Sequence, residues 1–368
     1  MKKHMEKKLD LDILEIVKFL KSQIQSLEAI YLVGSFGRNE GSVLNYHGKN
    51  ICINDYDLVV LSNKNLDSFF INGLRRKLEN ILQIRHVDIS SYQKRDFKKM
   101  DFTNYSYDLK YASKTIFGNE KYLNLIPDMD KSKMPILEAI RPLLLFPGAL
   151  LLAYPRKKQM TEIEIFWSYQ QISKSILGWS SAMLIEKGLY TPSYFERSNI
   201  FEKTFSNKKR LCKLVKEATN FKLQPNLKPI DGKDLMDFWV ETTKVHLEVC
   251  EYIFKNTYSV QSRNIEDSLT RYEKSFRNRL KHIFTILTGI DKSSILNIEI
   301  GQLYLLKSLV EQERLGVGRY SQLAIERKKR LLEITKETIN AETNLLDFFI
   351  NLNPNTRDWN KKSNKLLY

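Results

Sequence analysis

Cysteine is scarce in this sequence. Cys52, Cys212 and Cys250 lie far apart and are odd in number, which argues against a disulfide framework and against a thiolate zinc cluster. Long apolar runs are missing too. The longest, residues 142–154, is interrupted by Pro147 and Gly148 and falls short of the ~20 helical residues that a bilayer requires. No membrane span is expected. The N-terminus is basic but soon reads Leu9-Asp10-Leu11-Asp12, without the uncharged apolar core of a secretory signal, so the expectation is a cytoplasmic protein. Histidine is sparse: His47, His86 and His246 have no partner pattern and read as turn, strand and helix residues. No internal repeat is visible.

What remains is a chain of 368 residues, 42% of them hydrophobic, enough for a substantial core and better suited to two domains than to one. Its net charge of +16 is uneven. Residues 1–130 carry 20 Lys and Arg against 17 Asp and Glu, and the rest carries 39 against 26. A basic surface attracts phosphates, whether of a nucleotide, a nucleic acid or a lipid headgroup; solvated lysine-rich helix faces are the competing explanation.

Apolar residues at helical spacing from Leu11 to Leu27 precede the continuous run Ala29-Ile30-Tyr31-Leu32-Val33, a helix feeding a buried strand. The strand stops at Gly34-Ser35. A short helix is expected near Phe36 to Glu40, and residues 44–53 read as an insertion, with Tyr46 to Asn50 as a turn or hairpin tip. Tyr56 to Leu61 is a second strand, Leu66 to Ile84 a helix, Arg85 to Ser90 an alternating strand, and Thr115 to Phe117 another short strand. Residues 127–135 read as a linker. Beyond it the spacing is helical over 138–153, 162–187, 207–219, 232–255, 266–288, 300–315 and 321–352. The expected organisation is α+β: a catalytic domain at 1–130 with a mixed sheet and flanking helices, an all-helical domain at 131–352, and a loose tail at 353–368.

The chemistry sits in Val33-Gly34-Ser35-Phe36-Gly37-Arg38-Asn39-Glu40, then Asn54-Asp55-Tyr56-Asp57-Leu58, then Val87-Asp88-Ile89. Residues i and i+2 of a strand share a face, so Asp55 and Asp57 are expected to converge on one site, with Asp88 facing the same way from a neighbouring strand. Such carboxylates are hard oxygen ligands of the kind magnesium prefers. Two such ions can stabilise the attacking and leaving oxygens of a displacement at phosphorus. A glycine at a strand end lets backbone approach a phosphate, a following helix offers unpaired N–H groups, and Ser35 adds a hydroxyl.

Together these residues resemble the signature of the polymerase-beta-like nucleotidyltransferase superfamily: an apolar residue, Gly-Ser, a spacer, an apolar-flanked Asp-x-Asp, and a third carboxylate on a later strand. The resemblance covers roughly residues 10–118. One departure is the spacer, since the nineteen residues between Ser35 and Asp55 exceed the superfamily's usual length, which we attribute to the insertion. Arg38 and Glu40 are similar to the Gly-Ser-x-x-Arg-x-Glu of small bacterial members; Arg38 contacting phosphate and Glu40 ordering the turn stand beside a reading of both as solvated. The resemblance implies two Mg2+ ions, or Mn2+ in their place, on Asp55, Asp57 and Asp88. Asp88 would orient or deprotonate the acceptor hydroxyl. Gly34, Ser35 and Arg38 would hold a nucleoside triphosphate, ATP foremost, with Lys174 of the helical domain on the triphosphate.

In the helical part, Trp167, Tyr169, Trp179, Tyr190 and Tyr194 form an aromatic stripe that reads as packing in preference to base stacking. Arg277 to His282 fits the Arg-x4-His of helical ribonucleases paired with small nucleotidyltransferases in toxin–antitoxin modules, although a basic helix face explains so short a match. The implied activity is transfer of a nucleoside monophosphate to a hydroxyl of a small molecule, a second nucleotide, a protein or an RNA. A non-catalytic binding or antitoxin module is one competing class. A nucleic-acid binder using Lys208-Lys209-Arg210, Arg277 to Lys281 and Arg327 to Arg330 is the other.

Overall fold

The computed structural model describes residues 2–46, 49–84, 86–155, 160–232 and 234–258, together with Leu306. Apart from Leu306, the helices expected at 266–288, 300–315 and 321–352 lie outside the described residues, as do the tail, the Arg277–His282 match and Arg327 to Arg330.

The chain opens with α1 (Lys2–Gln23), β1 (Leu27–Val33) and a single helical turn, α2 (Gly34–Gly37). A two-stranded hairpin, β2 (Val43–Tyr46) and β3 (Lys49–Cys52), fills the expected insertion. Then come β4 (Tyr56–Ser62), α3 (Ser68–Leu82), β5 (Val87–Tyr92), α4 (Lys94–Phe97), α5 (Asn104–Ala112) and β6 (Lys114–Gly118). Helix α3 shows how local signals set an element. The Asp67 side chain accepts from Phe70 N at 2.8 Å as N-cap, Ile71, Leu74, Leu78 and Leu82 bury one face, and Gln83 ends it in the left-handed region at φ 52°.

The main sheet runs β5-β4-β1-β6, with β4 and β5 parallel and β1 antiparallel to both β4 and β6. Strand alternation divides its core into two layers. Ile30, Leu32, Leu58, Val60, Val87 and Ile89 pack with Ile16 and Leu20 of α1 and Leu74 and Leu78 of α3. Tyr31, Val33, Val59 and Leu61 pack with Phe97 of α4 and Leu109 of α5. Each fully buried side chain of this size contributes about 1.5–3 kcal/mol relative to exposure.

After 3₁₀ turns at Glu120–Leu125 and Lys131–Lys133, the remaining helices are α6 (Leu137–Leu152), α7 (Glu162–Glu186), α8 (Tyr194–Thr204), α9 (Lys209–Leu223) and α10 (Leu235–Tyr258). The fold is α+β, as expected. Its division differs from a simple break near residue 130: one compact unit is 1–138 with 183–226, and the other is 139–182 with 227–368. Helices α8 and α9, assigned from sequence to the helical domain, therefore belong to the sheet-bearing unit. Within the second unit, Tyr169 stacks on Phe238 with ring centroids 4.9 Å apart, Trp179 is fully buried, and Trp239 Nε1 donates to the Leu150 carbonyl at 2.6 Å. Tyr169 and Trp179 of the aromatic stripe thus pack within this unit, whereas Tyr190 and Tyr194 belong to the other. Among the described residues no helix is long and apolar enough to cross a membrane.

Candidate active site

The ladder register assembles the centre of the site. Val33, the last residue of β1, lies opposite Asp57 on β4, and Asp57 lies opposite Asp88 on β5. Along β4, Asp57 shares its face with Val59 and Leu61, so Asp57 and Asp88 occupy neighbouring positions on one face at one end of the sheet. Gly34 follows immediately. It has φ +63°, and a Cβ at that position would overlap Oδ2 of Asp57. Only glycine meets both demands, a left-handed backbone and an unfilled space beside the carboxylate.

The turn after Gly34 is closed by its own backbone. Arg38 N donates to the Gly34 carbonyl at 3.3 Å, Asn39 N to Phe36 at 3.2 Å and Glu40 N to Ser35 at 2.8 Å. Phe36 anchors it from below, stacked on Tyr56 with centroids 4.6 Å apart, while the Tyr56 hydroxyl donates to Asp12 at 2.7 Å. Ser35 is buried. The helix here is one turn at Gly34–Gly37, slightly earlier than the expected Phe36 to Glu40.

The long spacer between Ser35 and Asp55 does not displace the aspartates. Ile53 N donates to the Ser42 carbonyl at 3.0 Å and Ser42 N to Asn54 Oδ1 at 2.7 Å, pinching the hairpin at its base. Asp55 departs from expectation in one respect. Strand β4 begins at Tyr56, so Asp55 sits just ahead of the ladder and is exposed. It still acts on its neighbour: burial first, then the charges of Asp55 and Asp88, push the Asp57 carboxyl up to about 6.

Asp88 has a partner that the sequence did not announce. Arg75 of α3 forms an ion pair with its carboxylate and donates to the Ile89 carbonyl at 3.3 Å. Among the described residues no three His, Cys, Asp or Glu side chains form a group that could hold a metal ion. His86, read as a plain strand residue, lies just before β5, with Nδ1 3.2 Å from Glu79 Oε1, and its pKa is raised by that bond and by Asp55 and Asp88.

Beside the carboxylates lies a buried group of cations. Arg38 reaches Glu40 at 3.4 Å and Asp108 at 3.2 Å, and the Tyr190 hydroxyl donates to Asp108 at 3.0 Å. Three cations surround the ring of Tyr194: Arg197 at 4.3 Å, Arg38 at 5.3 Å and Lys222 at 5.5 Å from its centroid. Burial lowers the Lys222 pKa and Arg38 lowers it further, whereas Tyr194, Asp55 and Asp57 oppose that shift. Its ammonium is thus within electrostatic reach of both aspartates. Arg38 is held in this network, so the solvated reading of that residue gives way to a buried one. Neither Arg197 nor Lys222 was singled out from sequence. The available signal was Lys222 following Leu214, Val215, Ala218 and Phe221 on the buried side of α9. Lys174 lies on α7 in the second unit and is exposed.

No protein-family model matches this chain, and no curated protein matches it. Among solved structures it is similar to a spectinomycin adenyltransferase from Enterococcus faecialis with ATP and spectinomycin, at 14% identity and a TM-score of 0.36, over 66% of this chain and 98% of that one. It is also similar to a structure of a tri-AMPylated Shewanella oneidensis HEPN toxin in complex with MNT antitoxin, at 22% identity and TM-score 0.22, over 32% of this chain and 77% of that one. A toxin–antitoxin structure with AMP-PNP is matched at 23% identity and TM-score 0.23, over 31% and 78%.

Proposed function

We propose that this chain is a divalent-metal-dependent nucleotidyltransferase that moves a nucleoside monophosphate, AMP from ATP in the first instance, onto an acceptor hydroxyl with release of pyrophosphate. One observation carries the reading: the register that sets Asp57 beside Asp88 on one face, against a Gly34 that leaves room for the Asp57 carboxylate.

Asp55, Asp57 and Asp88 offer the oxygen donors that a hard cation takes, and drawing Asp88 into that set goes with its release from Arg75. Asp57 is kept in surroundings that disfavour its charge, beside two more carboxylates, and a divalent ion relieves that repulsion. Asp55, Asp57 and Asp88 are the residues proposed to hold Mg2+ or Mn2+, Asp88 on release from Arg75, and the ions would supply neutralisation of charge at the attacking and leaving oxygens. In the reaction the acceptor oxygen bonds to the α-phosphorus as the α–β bridging P–O bond breaks. Asp88 takes the hydroxyl proton. Gly34 and Ser35 accommodate the phosphates, and Arg38, Arg197 and Lys222 offset the charge of the departing pyrophosphate.

The test is incubation of the full chain with α-labelled nucleoside triphosphates and Mg2+, alone and with hydroxyl-bearing small molecules, nucleotides, proteins and RNA. Label transfer that disappears in Asp57→Asn is expected. Folded wild-type protein that transfers label to none of them would sink the enzymatic reading. Oligonucleotides formed without an added acceptor would assign the acceptor role to a second nucleotide. The pairing of Arg75 with Asp88 favours one alternative, a nucleotidyltransferase-fold binding module without catalysis. That alternative predicts nucleotide binding unaffected by Asp55→Ala and Asp57→Ala.

A further inference from the structure

Glu40 makes more contacts than a residue that merely orders a turn. Its carboxylate is buried and lies within hydrogen-bond distance of four donors from two distant parts of the chain. Oε1 accepts from Ser193 Oγ at 2.7 Å and from Phe195 N at 3.1 Å, while Oε2 accepts from Tyr194 N at 3.0 Å and faces Arg38 Nε at 3.4 Å. Ser193 is the N-cap of α8, and its hydroxyl also accepts from Glu196 N at 3.1 Å. Glu40 therefore takes the first two orphan N–H groups of an 11-residue helix and sets a negative charge at its positive end.

The consequence reaches past helix stability. The donors held by Glu40 belong to the same turn of α8 that presents Tyr194, and Arg197 lies one turn on, over the Tyr194 ring. The other end of the link is the turn that begins at Gly34-Ser35 and carries Arg38. On the nucleotidyltransferase reading above, on which this inference rests, we propose that Glu40 is a positioning residue. It locks α8 to the Gly34-Ser35 turn and so fixes the cations around Tyr194, namely Arg38, Arg197 and Lys222, as a preformed grip for a triphosphate. Without it, Arg38 and Arg197 lose their common frame and the cluster must be organised by the ligand at the expense of affinity.

The experiment uses the full chain with inorganic triphosphate as the probe, followed by calorimetry, together with kcat and KM for ATP and a thermal melt. The amide introduced by Glu40→Gln has a single acceptor oxygen where the carboxylate has two. Glu40→Gln is expected to weaken triphosphate binding and raise KM by about tenfold, the scale of losing charge-assisted hydrogen bonds, with kcat changed by less than about twofold. Ser193→Ala removes a donor from the other side. It should weaken binding in the same direction but less, and the double variant should fall short of the product of the two effects. If Glu40→Gln does not fold, Ser193→Ala carries the test. Variants that melt earlier but bind triphosphate as the wild type does would overturn the proposal and leave Glu40 a helix cap alone. Glu40-dependent triphosphate binding in a protein that transfers no nucleotide would uphold the lock while the enzymatic reading fell; wild-type protein that binds no triphosphate would overturn the lock.

Discussion

At Asp57 the fold keeps a carboxylate where its charged form is disfavoured, and the direction of the pH effect follows. Its folded pKa of about 6 lies above the ordinary 3.8. As pH rises through that window the unfolded chain gives up its proton first, so stability falls and the whole penalty is present above about pH 6. The shift corresponds to roughly 2–3 kcal/mol. Asp57→Asn is therefore expected to melt higher than the wild type at pH 7.5 without metal. Adding Mg2+ should stabilise the wild type and leave the variant where it was. A thermal melt with and without Mg2+ reads both; an Asp57→Asn protein that melts lower without metal contradicts the account. Legibility at this scale followed chemistry. Gly34, Ser35, Asp55, Asp57 and Asp88 could be picked out because their types and order are uncommon together. Arg75 and Arg197 could not, because a basic residue on a helix looks the same in sequence whether it faces solvent or a carboxylate.

Among the elements, α6 shows how a helix tolerates a proline. Pro147 has no N–H, which leaves the Leu143 carbonyl without its i+4 donor. His246 on α10 supplies one: its Nε2 lies 3.0 Å from that carbonyl, and since a carbonyl can only accept, Nε2 carries the hydrogen. Nδ1 of the neutral ring then accepts from Ser175 Oγ at 3.1 Å. Burial, only partly opposed by the bond to Leu143, lowers the His246 pKa from 6.5 to about 4. A base whose folded pKa is lowered gains its proton first in the unfolded chain. Its contribution to stability, about 3 kcal/mol at most, is complete above pH 6.5 and is lost as pH falls toward 4. His246→Leu should cost about 1–3 kcal/mol at pH 7.5 by leaving the carbonyl only the weak donor of the Cys250 thiol, 4.0 Å away. In a Pro147→Ala background, where residue 147 regains its N–H, the same change should cost less, and urea melts of the four proteins measure the difference. Additive losses would show that Pro147 is not why His246 sits there. Element prediction succeeded where apolar spacing was strong, as in α3 and α7, and failed at α5 and α8. Helix α8 buries only Arg197 and Phe201, so its apolar period is faint; Ser193-x-x-Glu196 was the readable signal, an N-cap pattern without the hydrophobic run that normally follows.

For the whole molecule, the charge imbalance changes meaning once the units are known. The segment 183–226 carries nine Lys and Arg against four Asp and Glu, and it belongs with the sheet-bearing unit. Much of the positive charge assigned from sequence to a separate helical domain is thus part of the unit that holds the aspartates. No local pattern could disclose this, because it depends on contacts between residues some 150 positions apart, such as Glu40 with Ser193. The spacer was the opposite case. Its length is plain in the sequence, and the structure fills it with the β2–β3 hairpin, whereas the clamp of Ser42 on Asn54 is visible only in the fold.

That clamp makes the hairpin replaceable. Because the chain leaves and rejoins the site through neighbouring residues, whatever is spliced between them changes the closure free energy only slowly with length. Substituting a two-residue Asn-Gly turn for residues 45–50, or grafting a longer peptide there, should preserve the melting temperature to within a few degrees and leave Mg2+-dependent stabilisation intact. Loss of that stabilisation in a folded graft would show that the hairpin itself shapes the site. If the graft is tolerated, this is where a reporter or an affinity handle can be carried beside the aspartates.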